Sequence, residues 1–435
     1  MGSRRRKHWG WGREDEQPSP PEVREAAGGL AAHLGFGSPE PEVAAPPALG
    51  APRVAVLAGL AEICVQDDHA RAVHAHGASY VDVVRAFRGR FPHAPDAEAQ
   101  LAEHGLTLRF YPQSFEFSTL GGWIATRAAG HFATGPTHVD DLVEAVRALT
   151  ISGEVWESRR LPGSGAGPSP DRVLLGSEGT LAVTTEAWVR VRPRPEGRRS
   201  AGVAFPSFAA GAEAVREIVQ AGLRPANCRL IDAREAALTF AGDGSAALLV
   251  LGFEEVVEGA DRAWSVCRSH GGQVQEGSGG GGGAWRSAFL RAPYLRDTLV
   301  AMGVVSETFE TAVTWERLPG LVAAVSAAVV EAVGEGIVTC RLTHAYPDGA
   351  APYFTVLAPA ERGDEEAQWG AIKAVAGDAV LAAGGTITHH HAIGRDHRRW
   401  YDRQRPQPFA DAMHAAKAML DPDWLLNPGV LWEAR

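Results

Sequence analysis

Short runs in which hydrophobic and polar residues alternate predict the strands of this chain. Three of them, "TLRFY", "EVWESRRL" and "TEAWVRVRP", lie between residues 106 and 193, where glycine-rich turns separate them. Four more follow beyond residue 195: "SAGVAFPSF", "ALLVLGFEE", "GIVTCRLTHAY" and "APYFTVLAP". The pattern predicts a first domain of mixed strands and helices and a second domain built on a sheet.

Amphipathic runs with a period of about 3.6 residues predict the helices. "GAEAVREIVQAGL" and "DRAWSVCRSHGG" lie among the later strands. The apolar run "LVAAVSAAVVEAV" is short and contains a glutamate, so it predicts a buried helix and not a membrane span. Earlier, we expect a helix from Asp96 to His104 that ends at Gly105, another that begins near Asp140, and a helical surface arm before residue 96.

Composition favours a large globular protein of several domains. The 435 residues are 45% hydrophobic, and the formal net charge of -10 argues against a general nucleic-acid binder, which needs clustered basic residues. We interpret the one compact basic run, residues 4–7, as a solvated tail, although Trp9 and Trp11 beside it would suit a weak contact with an anionic membrane. Four scattered cysteines indicate a reducing cytoplasm.

Two stretches combine glycine with hydroxyl-bearing residues: "PQSFEFSTLGGWIATRAAGHFAT" (112–134) and "LLGSEGTLAV" (174–183). Glycine lets backbone N–H groups approach an anion and Ser or Thr add donors, so such turns suit a pyrophosphate or a flat heteroaromatic ring. On composition alone, turns at the edge of a sheet explain them equally well. The run "EGSGGGGGAW" lacks the Lys-Ser/Thr ending of a phosphate loop, and we interpret it as a flexible surface loop.

Three histidines stand in a row in "TITHHHAIG". If this segment is extended, His389 and His391 lie on one face and His390 on the other, so the three rings do not converge on one ion. We therefore expect no metal site. On these residues alone, an exposed polar loop and a catalytic cluster both stay open, since histidine titrates near neutrality.

In their order and in their residue identities, the two glycine-containing stretches resemble the flavin-binding half of the vanillyl-alcohol-oxidase-type FAD enzymes. Among these enzymes they resemble the alkyldihydroxyacetonephosphate synthases (alkylglycerone-phosphate synthases). Other stretches resemble the same family: "HWGWGREDE", "AFPSF", "RLIDAREA", "RAPYLRD", "SETFETAVTWER", "TCRLTHAY", "THHHAIG" and "LDPDWLLNPG". The resemblance extends over nearly the whole chain.

The resemblance implies an α+β fold with an FAD-binding domain and a substrate-capping domain. It implies noncovalent FAD and a reaction in which a long-chain alcohol replaces the acyl group of acyl-dihydroxyacetone phosphate, without net redox change, in ether lipid synthesis. Lipid-like substrates imply a cytoplasmic enzyme in peripheral contact with a membrane. A homodimer is the expected assembly, and no nucleic-acid partner is expected.

Residues that match the family's motifs imply flavin contacts in three segments. In the family, the last of these segments is followed by another glycine. Ala182 stands at that position here, which adds one methyl group. The implied contacts are Gln113, Ser114, Phe115, Glu116, Phe117, Ser118, Thr119, Thr126, Arg127, Ala128, Ala129, Gly176, Ser177, Glu178, Gly179, Thr180 and Leu181.

The resemblance also implies residues for substrate binding and catalysis. Arg296 matches the arginine that engages the substrate's leaving carboxylate, a role that suits a planar bidentate donor, and Arg229 matches another arginine required for activity. Tyr353 matches the tyrosine proposed to pass a proton at the substrate's carbon. The family's histidine run, which handles the substrate's phosphate head and its protons, matches His389, His390 and His391.

One feature of the family is missing. Its members carry, before "PQSFEFST", a subdomain with a "GGGTS"-like loop whose backbone amides hold the FAD pyrophosphate. Here "RAFRGRFPHAPD" leads directly into "AEAQLAEHGLTLRFY", which indicates a deletion between Asp96 and Ala97 and a truncated FAD-binding domain. Three explanations stay open: an inactive paralogue, a chain that binds its ligand differently, and a misassembled gene product. So does an FAD-linked oxidoreductase that acts on a hydroxy acid.

These expectations divide the chain into four parts. Residues 1–96 hold the helical arm and the start of the FAD-binding domain, and residues 97–195 hold the rest of that domain. Residues 196–380 form the capping domain, and residues 381–435 form a C-terminal segment that returns the histidine cluster to the active site.

Overall fold

The structure is a computed structural model that describes residues 98, 101–113, 118–159, 164–254, 259–276, 296, 299–300 and 302–433. The predicted N-terminal arm, the junction between Asp96 and Ala97 and most of the run 276–285 lie outside these ranges. Contacts divide the chain into two compact units. Among the described residues, the large unit comprises 132–135 and 195–389, and the small unit comprises the rest.

Both units contain strands and helices, and their sheets are antiparallel, as is typical of an α+β fold. The strands are β1 (Leu106–Thr107), β2 (Val143–Leu149), β3 (Val155–Glu157), β4 (Val183–Val189), β5 (Arg192–Pro193), β6 (Arg199–Phe205), β7 (Asn227–Ile231), β8 (Ala247–Phe253), β9 (Gln273–Glu276), β10 (Val304–Glu310), β11 (Val313–Thr314), β12 (Ile337–Ala345) and β13 (Gly349–Pro359). The helices are α1 (Leu120–Thr126), α2 (Pro170–Leu174), α3 (Phe208–Gln220), α4 (Ala233–Leu238), α5 (Gly259–Ser269), α6 (Leu318–Val333), α7 (Glu365–Ala382), α8 (Arg398–Gln404) and α9 (Gln407–Leu420).

An antiparallel sheet forms the body of the large unit. Its strand order is β10-β13-β12-β7-β8-β6-β9, and the short strand β11 also pairs with β13. The four strand runs predicted beyond residue 195 coincide with β6, β8, β12 and β13, so these predictions are confirmed. The two amphipathic runs among them are likewise confirmed as α3 and α5.

Helices α3, α5, α6 and α7 pack on one face of this sheet. On α6 the residues Leu318, Leu321, Val325 and Val329 recur at helical spacing and are almost completely buried. Burying each such side chain contributes about 1.5–3 kcal/mol, which fixes the helix on the sheet. The predicted buried helix is therefore confirmed. Within the described residues, no helix is long and apolar enough to cross a membrane.

The hairpin of β12 and β13 separates the two faces of the sheet. Cys340 pairs with Phe354 and both belong to the helix-covered core, whereas their neighbours Arg341 and Tyr353 pair with each other on the opposite face. The turn between the strands closes where the Tyr346 N–H donates to the Gly349 carbonyl over 2.8 Å. The alternation of a single strand thus gives one apolar face and one polar face.

In the small unit, β2 lies between β3 and β4 in an antiparallel sheet. The helix predicted to begin near Asp140 is wrong: a short 3-10 turn, Val139–Asp141, leads directly into β2. Val143, Val146 and Ala148 are all buried, so β2 presents apolar residues on both faces. A central strand of this kind lacks strict alternation and resembles a helix in sequence.

A buried ion pair stabilises the C-terminal part of the small unit. Lys417 on α9 pairs with Asp421, and both side chains are essentially inaccessible to solvent. Lys417 Nζ also donates to the carbonyls of Thr180 (2.8 Å) and Leu426 (2.9 Å). Burial lowers the pKa of Lys417, and the paired carboxylate opposes this shift. Three acceptors around one ammonium compensate the cost of removing it from water.

Candidate functional site

A polar cluster lies on the face of the large sheet opposite the helix-covered core. It contains Arg229 of β7, Arg341 of β12, Tyr353 of β13 and Glu310 of β10. The strand register places Tyr353 directly opposite both Arg341 and Glu310. All four side chains are buried. The large unit therefore concentrates titratable groups at the centre of one sheet face.

Arg341 is held from two sides. Its Nη1 donates to Glu235 Oε1 over 2.5 Å, and its guanidinium carbon lies 3.9 Å from the centroid of the Tyr353 ring, a cation–π contact. Glu235 comes from α4, whose N-cap Asp232 accepts from the backbone N–H groups of Glu235 (2.7 Å) and Cys340 (2.6 Å). The cap thus fixes both the helix that carries the carboxylate and the strand that carries the arginine.

The cluster supplies N–H donors for an anionic group, while Glu235 and Glu310 balance the charges of its two arginines. Burial lowers the pKa of Arg229, and the nearby charge of Arg341 lowers it further, although a guanidinium remains protonated at neutral pH. Burial also raises the pKa of Tyr353, so its phenol keeps its proton. Two buried arginines beside Glu235 can offer several N–H donors to a phosphate or a carboxylate.

His389 lies in the same unit and contacts three side chains from two segments, the end of β12 and the end of β10. Its Nε2 is 2.7 Å from the Tyr346 Oη, and its backbone N–H donates to Glu310 Oε2 over 2.7 Å. Its ring centroid is 4.8 Å from that of His344. The structure thus brings His389 next to the carboxylate that also faces Tyr353.

His390 and His391 belong to the small unit, and their placement corrects one expectation. Residues 389–391 form bends and not a strand, and Ala392 has a left-handed φ of 67°. The rings of His390 and His391 are in edge contact, with centroids 4.7 Å apart. The prediction that adjacent histidines lie on opposite faces is therefore wrong, because it assumed extended backbone.

The loop 176–180 of the small unit packs against the end of α1. The N–H groups of Gly176 and Glu178 donate to the carbonyls of Ile124 (3.0 Å) and Ala125 (2.8 Å). Gly176 has a φ of 76°, and a Cβ there would lie 2.6 Å from Arg127 Cδ. Only glycine fits this close approach. The loop and the helix end therefore form one continuous surface.

Glu178 fastens this loop to the C-terminal segment. Its two carboxylate oxygens accept from the backbone N–H groups of Ile393 and Gly394, each over 2.7 Å. Asn427 Nδ2 donates to the Glu178 carbonyl over 2.5 Å. The side chain of Glu178 is thus used to hold the backbone just after the histidine run.

The residues for which the resemblance implies flavin contacts differ in their accessibility to solvent. Thr180 and Leu181 have no exposed surface, so contact with a cofactor at these two positions would require the loop to open. Residues 114–117, which are Ser114, Phe115, Glu116 and Phe117, lie outside the described ranges. The partly or fully exposed members are Gln113, Ser118, Thr126, Arg127, Ala128, Gly176 and Gly179.

These accessible positions fit one side of an FAD site. Most of them have small or hydroxyl-bearing side chains, which let a flat ring or a phosphate approach the backbone. Arg127 has a left-handed φ of 49° and pairs with Asp140 over 2.8 Å. Its charge is therefore already partly balanced within the small unit.

Sequence reasoning missed two of the four cluster residues, Arg341 and Glu310, and also Glu235, which holds Arg341. None of the three was among the predicted site residues. "DARE" at 232–235 has the spacing of a helix N-cap, which would have placed Glu235 at the start of a helix, but only the fold brings it to Arg341. Arg296 is exposed, unlike the buried Arg229 and Tyr353, and its predicted role stays a prediction.

Comparison with known families identifies the two parts of the chain. The model described as "FAD linked oxidases, C-terminal domain" matches residues 194–431, more than half of the chain. The model described as "FAD binding domain" matches residues 93–159. FAD is therefore the cofactor of this protein's family, which agrees with the prediction from the sequence.

The chain is similar to alkyldihydroxyacetonephosphate synthases of two organisms. It is 29% identical to that of Dictyostelium discoideum over 366 residues (77% of this chain, 60% of the relative). It is 31% identical to that of Caenorhabditis elegans over 364 residues (75% of this chain, 60% of the relative). The chain thus spans about three fifths of the length of these curated relatives.

A solved alkyldihydroxyacetonephosphate synthase shares the fold. The match has a TM-score of 0.64 at 24% identity, and it covers 77% of this chain and 62% of that one. The resemblance inferred from the sequence is confirmed by these relatives, and the α+β fold is that of FAD enzymes of this type. The chain belongs to the family of FAD-linked oxidases.

Proposed function

We propose that this protein is an FAD-dependent enzyme of the alkylglycerone-phosphate synthase type. It exchanges the acyl group of acyl-dihydroxyacetone phosphate for a fatty alcohol. The observation that carries the proposal is the buried cluster of Arg229, Arg341 and Tyr353 on one sheet face. It combines donors for an anionic headgroup with a protonated phenol, the two features that this substrate requires.

The arginines would bind and orient a substrate for which this buried cluster opens. Planar guanidinium groups form paired hydrogen bonds to phosphate or carboxylate oxygens, and Glu235 keeps Arg341 in one orientation. Water is excluded from these buried side chains, which strengthens the interaction with an anion. Arg296, being exposed, is available to a carboxylate that leaves the site.

Tyr353 would hold the proton that moves at the substrate's carbon. Its raised pKa keeps the phenol neutral, and the cation of Arg341 over its ring favours the transient loss of that proton. FAD, when bound, would supply a flat electron-accepting ring. On the small unit, Gly176 and Ala128 are among the accessible residues that would hold it.

Ether formation by the purified chain tests the proposal. The chain is mixed with FAD, acyl-dihydroxyacetone phosphate and a labelled long-chain alcohol, and the ether product is measured by mass spectrometry. We expect Tyr353→Phe to lower the rate by about 10²- to 10⁴-fold while leaving bound flavin unchanged. Tyr111→Phe, which removes a phenol that donates to Glu98 in the small unit, is the matched control and should keep full activity. Normal turnover by Tyr353→Phe would contradict the assigned role.

The same purified chain, given FAD and a hydroxy acid, tests two other interpretations. Reduction of the flavin by a hydroxy acid, with no ether product, would identify an FAD-linked oxidoreductase of the same family. The family model, which describes FAD-linked oxidases, favours this second candidate. A folded chain that takes up no FAD would identify an inactive paralogue or a misassembled gene product.

The substrate also suggests where the enzyme acts. Fatty alcohols and acylated dihydroxyacetone phosphate partition into membranes, so we propose a cytoplasmic protein in peripheral contact with a bilayer. The basic residues 4–7 followed by Trp9 and Trp11 support such a contact. Sedimentation with anionic vesicles, compared with neutral ones, tests it, and equal recovery in the supernatant would exclude it.

A homodimer is part of the same proposal and is tested by light scattering.

A further inference from the structure

The backbone that leads into the histidine run is held by Glu310. Thr388 Oγ1 donates to Glu310 Oε1 over 2.5 Å, and the His389 N–H donates to Glu310 Oε2 over 2.7 Å. The side chain of Glu310 is completely buried, and that of His389 is 6% exposed. The two hydrogen bonds from consecutive residues fix the backbone from which the His389 side chain projects.

The backbone of Tyr346, which contacts the His389 ring, is held by two hydrogen bonds. Tyr346 begins the turn between β12 and β13, where its N–H donates to the Gly349 carbonyl, and its own carbonyl accepts from Trp315 Nε1 over 2.8 Å. Its Oη lies 2.7 Å from His389 Nε2. The phenol therefore reaches the ring from a hydrogen-bonded turn.

The two ring nitrogens of His389 meet different groups. Nδ1 lies 3.9 Å from the Glu310 carboxylate, whose negative charge favours a proton on that nitrogen. Nε2 then has a lone pair directed at the Tyr346 hydroxyl, which can donate to it. His344 is a further titratable group against the ring, and its centroid is 4.8 Å away.

We infer that Glu310 and Tyr346 are positioning residues that hold neutral His389 with its proton on Nδ1 and with Nε2 accepting from the Tyr346 phenol. The inference rests on the proposed function in assigning His389 to proton transfer. When Tyr346 receives a proton from a bound molecule, its own proton passes to Nε2, and Glu310 stabilises the imidazolium. One proton moves along each hydrogen bond, and no electrons leave the group.

Nitrogen NMR of the full-length chain tests this arrangement. The protein is labelled with ¹⁵N-histidine, and the His389 signals are assigned by their loss in His389→Gln. At a pH of about 8.5, well above the ordinary histidine pKa of roughly 6.5, we expect Nδ1 to be protonated and Nε2 to show the shift of a hydrogen-bond acceptor. Tyr346→Phe should move the Nε2 signal towards that of a ring nitrogen without this bond, whereas Tyr111→Phe should leave it in place.

The kinetic effect should separate positioning from binding. We expect Tyr346→Phe to lower kcat by about tenfold to a hundredfold with little change in KM, and Glu310→Gln to weaken the preference for Nδ1. Thermal unfolding checks that each variant is folded. If Glu310→Gln does not fold, Tyr346→Phe alone tests the inference.

The outcomes distinguish this inference from the proposed function. Protonated Nε2 in the wild-type protein, or an Nε2 signal that ignores Tyr346→Phe, overturns the positioning roles even if ether product forms. The expected signals in a chain that forms no ether product support the positioning roles, and they leave the proposed function refuted on its own assay.

Discussion

Glu178 is a residue whose buried carboxylate has two fixed partners. Its oxygens accept from Ile393 and Gly394, and burial raises its pKa above the ordinary value despite both hydrogen bonds. The residue lies in a segment that implied flavin contacts, yet its side chain holds the protein's own backbone. Its contribution to a cofactor site is therefore the shape of the loop.

Glu178→Gln tests this role, because an amide has only one acceptor oxygen and its NH₂ would face a backbone N–H. We expect the free energy of unfolding to fall by about 1–3 kcal/mol at neutral pH, measured by chemical denaturation. Glu186→Gln on β4, whose carboxylate pairs with Arg147 at the surface, is the control and should change it by less than about 1 kcal/mol.

The raised pKa of Glu178 also predicts how this difference depends on pH. The folded protein binds this proton at a higher pH than the unfolded chain does. As the pH falls through the raised pKa towards the ordinary value near 4.3, the wild-type protein therefore gains stability that Glu178→Gln cannot gain. A difference between the two proteins that narrows over this range would contradict the assignment.

Helix α9 is attached to the loop 176–180 through one ion pair. Lys417 donates to the Thr180 carbonyl and pairs with Asp421, while Asp421 accepts from the N–H groups of Leu425 (3.0 Å) and Leu426 (2.7 Å). Although burial opposes it, these hydrogen bonds and the ammonium lower the pKa of Asp421. The helix and the loop should therefore unfold together.

Lys417→Met should lower the free energy of unfolding by about 3–5 kcal/mol, because Asp421 would keep a buried charge without its cation. The double variant Lys417→Met with Asp421→Asn should recover part of this loss, which a double-mutant cycle measures. A loss in the double variant equal to the sum of the losses in the two single variants, Lys417→Met and Asp421→Asn, would show that the pairing carries no energy. Since the pKa of Asp421 is lowered, its stabilisation is present above about pH 4 and is lost as the pH falls further.

At the scale of elements, local pattern predicted the strands of the large unit well and those of the small unit less well. β12 and β13 are long, and their polar face alternates with a buried one, so Arg341 and Tyr353 interrupt apolar runs at regular positions. β2 is buried on both faces, so its sequence lacks the alternation of apolar and polar residues on which the strand prediction depended. The pairing of Arg341 with Glu235 spans about a hundred residues, and no local pattern encodes it.

At the scale of the whole molecule, the chain forms two units that carry different parts of the proposed chemistry. The large unit holds the arginines and Tyr353, and the small unit holds the accessible flavin-motif residues. The resemblance identified both parts from motif order, because such motifs preserve backbone shape. It could not identify which motif residues are interior, since burial depends on residues far along the chain.

Added FAD should therefore stabilise the small unit selectively. In differential scanning calorimetry we expect the transition of that unit to shift by an amount equivalent to about 2.7 kcal/mol at an FAD concentration of 100 times Kd, while the other transition stays in place. Riboflavin, which lacks the pyrophosphate, is the matched ligand control. An identical scan with and without FAD would show that the truncated domain does not bind the cofactor.

The route of the chain between the units has a consequence for synthesis on the ribosome. The large unit is nearly continuous in sequence, whereas the small unit joins residues 136–194 to residues beyond 390. The Thr180 hydroxyl accepts from Trp432 Nε1 over 3.2 Å, so the loop 176–180 obtains this partner only after residue 432 has been translated. The sheet of the large unit can form before residues 390–433 have left the ribosome, and during that interval we expect the early part of the small unit to expose apolar surface that chaperones can shield.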